Sequence, residues 1–295
     1  RAALQGSGQG TFSLVLPPPA ERCPTPVRRH SHIRGRSEGR IWRPTTRKDV
    51  QAILKAAEIY NEAGLHEKGE RSGPLGLLTV VESPQVPLRH APGLSLGAPV
   101  GPPEQLALFT DGEGLAAIPR LNRSRDALAW LDYTDSAAAY HLLSRPRVLV
   151  LGAGTGAELW LARYHDAAAV TAVELNPAVV RLVQEDFGDY SGRPYTQPGV
   201  RLHVGEARGF VAAGDESWDL VQIALIDAFG ASSAGLYALS ESYLYTVEAL
   251  QAYLARLAPG GYLSITRWVS LPPRDTLKLV GMAAIVLERQ GVADP

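Results

Sequence analysis

A chain of 295 residues with a formal net charge of −1 can bury a sizeable core, and its charge balance points to neither nucleic acid nor an anionic membrane surface. The single cysteine, Cys23, cannot close an internal disulfide, which suits a reducing, cytoplasmic setting. No run of about eighteen apolar residues is present to span a bilayer. There is no signal peptide, and a start at Arg1 rather than Met reads as a fragment of a longer protein.

Residues 1–46 are rich in Gly, Pro, Ser and Arg and lack hydrophobic periodicity, so they read as a mostly disordered arm. The alternative is a basic arm that binds phosphate. His30 and His32 lie there without partner ligands, and no metal site is expected. Residues 47–64 read as a helix, with Val50, Ile53, Leu54 and Ala57 on one face and Gly64 as a stop. A small antiparallel β unit follows. Its strands are 77–81 and 105–110, the latter meeting the turn pair Asp111-Gly112, and a Pro/Gly-rich loop fills 83–104. Helix and β unit together make a region over 47–143.

From residue 144 to 295 the pattern alternates. Apolar, β-branched runs at 147–151, 169–173, 200–204, 219–226 and 262–266 read as buried parallel strands. Helical segments separate them. Asn176 caps one, with Pro177 at its first position and Gly188 at its end. Ser240 caps another, with Glu241 in its first turn, and Leu257-Ala-Pro-Gly-Gly261 resets the chain for the fifth strand. A last helix covers about 274–290. The expected fold class is α/β, a Rossmann-like, doubly wound parallel sheet. No strands follow the last helix, so the final strands are expected to be missing, leaving the fifth strand an open, aggregation-prone edge.

Ligands in such sheets bind beyond the carboxyl ends of the strands. Four strand ends carry the candidate chemistry. Gly152, Gly154 and Gly156 form a glycine turn between strand and helix, and with Ala157 they also fit the dinucleotide pattern, so the turn alone does not separate NAD from S-adenosyl cofactors. Glu174 ends the second strand about twenty residues later, where a carboxylate accepts from ribose hydroxyls. Gly205-Glu206-Ala207 follows the third strand and offers an acceptor to an adenine amino group, or else a simple helix-start carboxylate. Asp227 emerges from a very apolar strand, which suits a general base for an amine or an anchor for an ammonium. The segment 228–239 could then act as a lid. Gly230-Ala-Ser-Ser-Ala-Gly235 is one residue too long for a hydrolase elbow, and Asn122-Arg-Ser124 is a chance match to a glycosylation acceptor.

These residues, in order, resemble the spermidine synthase-like (polyamine aminopropyltransferase) family. The resemblance rests on Phe109-Thr-Asp-Gly112, Tyr140-His141, the Gly152 turn, Val173-Glu174, Gly205-Glu206, Ile226-Asp227 and Glu241-Ser-Tyr243. It is nearest to bacterial members joined to membrane segments. The resemblance implies a small β domain ahead of a methyltransferase-like Rossmann domain. It implies decarboxylated S-adenosylmethionine as donor and a small-molecule amine as acceptor. By position, Gly152, Gly154, Thr155 and Gly156 hold the cofactor, Glu174 the ribose, and Glu206 with Ala207 the adenine. Tyr140, His141 and Tyr243 face the substrate, and Asp227 takes the proton. The chain departs from the family's pattern at Thr155, at Gly230 and at Leu142, where carboxylates usually stand. A site without them should bind a dication poorly.

Three readings therefore compete. The first is an aminopropyltransferase-like enzyme. The second is an S-adenosylmethionine-dependent methyltransferase, because loss of the carboxylate at Thr155 fits a cofactor carrying its own. The third is a nucleotide-binding module without turnover, in a membrane protein. A homo-oligomer fits any of them, and a NAD-dependent dehydrogenase is more distant.

Overall fold

In the computed structural model, residues 3–6, 11–16, 66–83, 87–121, 124–226, 243–269 and 273–292 are described. Strands β1 (Ala3–Gly6) and β2 (Thr11–Leu16) form an antiparallel hairpin. Strands β3 (His66–Gly73), β4 (Gly76–Glu82), β5 (Gln105–Thr110) and β6 (Glu113–Pro119) form a four-stranded antiparallel sheet in that order. Asp111 and Gly112 both adopt positive φ, 53° and 75°, the geometry that twists two strands into a tight hairpin. Asp111 Oδ1 also accepts the Leu77 N–H at 2.8 Å, tying the turn to β4.

Two 3-10 turns, Asp126–Tyr133 and Asp135–Leu142, lead into the main domain. There β7 (Arg147–Leu151), α1 (Ala157–Tyr164), β8 (Ala169–Glu174), α2 (Pro177–Arg181), α3 (Gly188–Ser191) and β9 (Val200–Val204) come first. They are followed by α4 (Ala207–Ala213), β10 (Trp218–Ile223), α5 (Val247–Leu254), β11 (Leu257–Trp268) and α6 (Arg274–Arg289). The sheet order is β1-β2-β11-β10-β7-β8-β9, and the five strands from β11 to β9 are parallel. The order reverses between β7 and β10, which opens a crevice at their carboxyl ends. Residues 148 to 151 of β7 are fully buried. Val148 and Val150 pack with α1, while Leu149 and Leu151 pack with α5 and α6. Burial on both faces explains why β7, β8 and β10 read as apolar runs, whereas β9, at the sheet edge, is not buried as its sequence run was expected to be.

Two expectations are corrected here. The outer edge of β11 is not open. It carries β2 in antiparallel register from Leu16 opposite Leu263 to Thr11 opposite Trp268. The strands on that edge come from the N-terminal hairpin, inside the stretch expected to be disordered. Averaged over residues 1–46, the Gly, Pro and Arg content masks a six-residue run of strand formers that stops at Pro17. Leu14 and Leu16 bury on one face of the sheet and Val15 on the other.

The helix capped by Asn176 does form, with Asn176 Oδ1 accepting from the Ala178 N–H at 2.9 Å. It passes into a wide π turn over Leu182–Asp186, and Gly188 opens α3 instead of ending the segment; Gly192, at φ 76°, is the stop. The cap of α5 is Thr246, whose Oγ1 accepts the Ala249 N–H. Leu257–Gly261 belongs to β11 itself. The expected helix over 47–64, Ser240 and Glu241 lie outside the described residues. Among the described residues, no helix is long and apolar enough to cross a membrane.

Leu14→Ala should lower the free energy of unfolding by about 2–4 kcal/mol, the cost of a cavity at a fully buried site. Urea denaturation checks it. A loss under about 0.5 kcal/mol would mean that the hairpin adds nothing to the sheet.

Candidate active site

The chain turns sharply where β7 ends. Gly152 sits at φ 78°, and a Cβ there would lie 2.6 Å from the Ile226 side chain, so only glycine fits between the two strand ends. Gly154 is different. A Cβ on it would meet only a carbonyl at 3.9 Å, so bare backbone faces open space. Gly156 is the N-cap of α1. The turn is fastened from two sides. The Gly154 N–H donates to Glu174 Oε2 at 2.8 Å, and the Tyr195 hydroxyl donates to the Gly154 carbonyl at 2.5 Å. Glu174 Oε1 accepts the Asn176 N–H at 2.8 Å. Burial raises the Glu174 pKa, and these backbone N–H groups hold it down.

A crevice of about 310 Å³ opens over this turn. Leu108, Val173, Val179 and Leu244 give apolar walls, while Glu174, Asn176 and Glu206 give polar groups. Such a lining, with few polar groups in an apolar cleft, suits a nucleoside. Each Glu174 oxygen accepts one backbone bond among the described residues and has a further lone pair for a hydroxyl. Glu206 lines the crevice as the N-cap of α4. Its Oε1 accepts the Arg208 N–H at 2.8 Å and its Oε2 the Gly209 N–H at 2.6 Å. Its carboxylate therefore serves the helix first. Ala207 lies beside it on the wall.

A second chamber of about 190 Å³ adjoins the crevice, sharing Gly152, Gly154, Thr155, Ala116 and Leu225 with it. Thr155, mostly buried, stands at the junction. One turn further along α1, Glu158 faces the chamber. Its Oε2 accepts from Gln222 Nε2 at 2.8 Å and its Oε1 from the Ser136 hydroxyl at 3.0 Å. Ser136 Oγ lies 3.1 Å from Thr266 Oγ1, which lies 2.7 Å from Ser13 Oγ. With Ser136 donating to the carboxylate, Thr266 donates to Ser136 and Ser13 of β2 donates to Thr266. Tyr140, fully buried, donates its hydroxyl to Gln222 Oε1 at 2.7 Å and so fixes the amide that faces Glu158. All the donors to Glu158 are neutral, and among the described residues no Lys or Arg lines the chamber. Burial pushes the Glu158 pKa up to about 7, with the Ser136 hydrogen bond opposing.

No family model matches the chain. Over 84 residues it is 31% identical to a polyamine aminopropyltransferase of Korarchaeum cryptofilum, which is 28% of this chain and 26% of that protein. Over 120 residues it is 28% identical to a polyamine aminopropyltransferase of Nitrosomonas europaea, covering 40% of this chain and 34% of that protein. Over these stretches the chain is similar in sequence to polyamine aminopropyltransferases. Its matches thus span about a third or less of the curated relatives' length. Among solved structures, a spermidine synthase in complex with the transition state analogue AdoDATO aligns with a TM-score of 0.49 at 15% identity, covering 75% of this chain and 63% of that one. The Thermotoga maritima spermidine synthase aligns with a TM-score of 0.45 at 14% identity, covering 68% and 56%.

Gly152, Gly154, Thr155, Glu174, Glu206 and Ala207 line one crevice, whereas Gly156, read with them as a cofactor contact, is not among its lining residues. The substrate-side group does not line it either. Tyr140 is a core residue. His141 is over half exposed and pairs with Asp132 at 3.0 Å, away from both cavities. Tyr243 is exposed beside the crevice, where Leu244 takes the wall and the Tyr243 carbonyl accepts from Arg208. Asp227 lies outside the described residues, and the description stops at Ile226. Sequence reading missed Glu158 and Tyr195. Glu158 sits two residues past Gly156, a position the glycine motif leaves open, so its spacing carried only a weak signal. Tyr195 carried none.

Glu158 makes stability depend on pH in a defined direction. Unfolded, it titrates near 4.5; folded, near 7. Between those values the folded state binds more protons, so its stability falls as pH rises through the window. Glu158→Gln should flatten that fall by about 1–3 kcal/mol. Thermal melts from about pH 5 to 8 would measure it, and parallel curves for the two proteins would refute the shift.

Proposed function

We propose that the chain is a transferase of the aminopropyltransferase type: an S-adenosyl sulfonium donor lies in the crevice and an amine in the adjoining chamber. The observation that carries this reading is Glu158. A buried carboxylate held only by neutral donors lacks a counter-cation, and a primary ammonium supplies one. The carboxylate thus stands in for the acidic residues that the resemblance leads one to expect at Thr155 and Gly230. The residues at the crevice fit the adenosyl half of such a donor. Glu174 holds the ribose hydroxyls, the Gly154 backbone leaves room for close approach, and Ala207 borders the base.

When bound, the donor supplies an activated leaving group at sulfur. The chain's own residues bind, orient and move one proton. Asp227, four residues past β10 in the sequence, accepts the proton of the attacking ammonium and frees its lone pair. Glu158 holds the charged amine so that its line of attack is fixed, which converts a bimolecular encounter into an aligned one. Decarboxylated S-adenosylmethionine is the donor that fits beside a chamber already holding the Glu158 carboxylate, because the carboxylate of S-adenosylmethionine would bring a second negative charge there. The methyltransferase reading is favoured by one residue, Thr155, which presents no negative charge to a donor carrying its own carboxylate.

Calorimetry with S-adenosylmethionine, its decarboxylated form and methylthioadenosine separates the two. Preferential binding of the decarboxylated form, with aminopropyl transfer to a diamine, is the expected result; preference for the carboxylated form favours methyl transfer, and binding without turnover over an amine panel favours a non-catalytic module. Glu174→Gln should weaken every adenosyl ligand by about 1–3 kcal/mol, and unchanged affinity would refute ribose binding there. Asp227→Asn should cut turnover and leave donor affinity nearly intact; equal turnover in the two proteins would remove its role as base.

A further inference from the structure

At the far end of α1, roughly 12 Å along the helix from the glycine turn, three side chains from three elements converge. Asp132 ends the first 3-10 turn, His141 lies in the last turn of the second, and His165 caps α1. Asp132 Oδ1 lies 2.8 Å from His165 Nε2 and 3.0 Å from His141 Nε2, and the three atoms all fall within 4.8 Å of one another.

An ordinary ion pair would aim an imidazole N–H at the carboxylate. Here, among the described residues, no aligned hydrogen bond reaches either Asp132 Oδ1 or His165 Nε2, although both atoms are buried. Close but misaligned donor atoms are what a shared cation produces. Ligands bonded at about 2.0–2.1 Å to one first-row ion sit about 2.9–3.4 Å apart, so a small rotation of one ring completes the set. The rings are already held by packing. His165 stacks on Tyr140 at 4.9 Å, and Tyr164 and His141 meet it edge-on at 5.4 and 5.1 Å.

We propose that Asp132, His141 and His165 bind one divalent first-row metal ion, zinc or a close neighbour, which staples the two 3-10 turns to the end of α1. Two imidazoles and one carboxylate suit that class. His141 is 56% exposed, so the ion enters from solvent and water completes its shell. The role is structural and separate from the crevice, and it departs from the sequence expectation of no metal, which weighed only His30 and His32.

The test uses the full chain stripped with a chelator and titrated with zinc chloride. One ion per chain by elemental analysis, a thermal midpoint raised by several degrees, and at least a tenfold loss of zinc affinity in His141→Ala are expected. His141 is exposed, so that variant should fold. Visible d–d absorption on adding Co²⁺, abolished in the same variant, would place the ion on this cluster. Zinc binding below stoichiometry, or equal binding by His141→Ala, would overturn the proposal and leave a simple His–Asp–His charge contact.

Discussion

The turn after β7 is held by two opposed hydrogen bonds on a single residue. Glu174 takes the N–H of Gly154, and Tyr195 donates to its carbonyl. This fixes bare backbone at the mouth of a crevice where strand order reverses. Everything proposed for the site depends on that constraint. If the turn were free to move, the buried carboxylate beneath it would lose the Gly154 N–H that satisfies Oε2, which is costly. Because it is fixed, Glu174 is satisfied by two backbone bonds and retains acceptor capacity toward the crevice.

The second determinant is electrostatic. Glu158 is set among hydroxyls and an amide, and the bonds that hold it run through Ser136 and Thr266 to Ser13 in the N-terminal hairpin. The hairpin therefore does two jobs. It covers the edge of β11, which would otherwise present unpaired backbone, and it supplies the last hydroxyl of the network behind the chamber. Burial raises the pKa of Glu158 against the pull of the Ser136 hydrogen bond, and the lack of a charged partner makes a cation welcome beside it.

Much of the fold was legible because short runs of strand-forming residues bounded by turn signals mark strands, and a strand buried on both faces such as β7 must be apolar throughout. β7, β5 and β9 coincide with the runs read from sequence, and Asp111-Gly112 was decisive because two consecutive positive φ angles demand such residues. The hairpin was not legible, since its six-residue strand is short and embedded in Gly, Pro and Arg. The crevice residues Gly152, Gly154, Glu174 and Glu206 could be picked out from sequence because they follow strand ends, at positions fixed by chain order. The chamber could not. Glu158, Gln222, Ser136 and Thr266 come from four elements, and nothing in their spacing says that they meet. Tyr140 and His141 were assigned by motif, but their 3-10 turn points one into the core and the other to solvent.

A crystal grown with methylthioadenosine would interrogate the central claim most directly, because that ligand carries the nucleoside and no reactive tail. The account predicts the ribose hydroxyls on the Glu174 carboxylate and the base against Ala207. A nucleoside bound elsewhere, or a crevice closed by the protein's own side chains at saturating ligand, would contradict it.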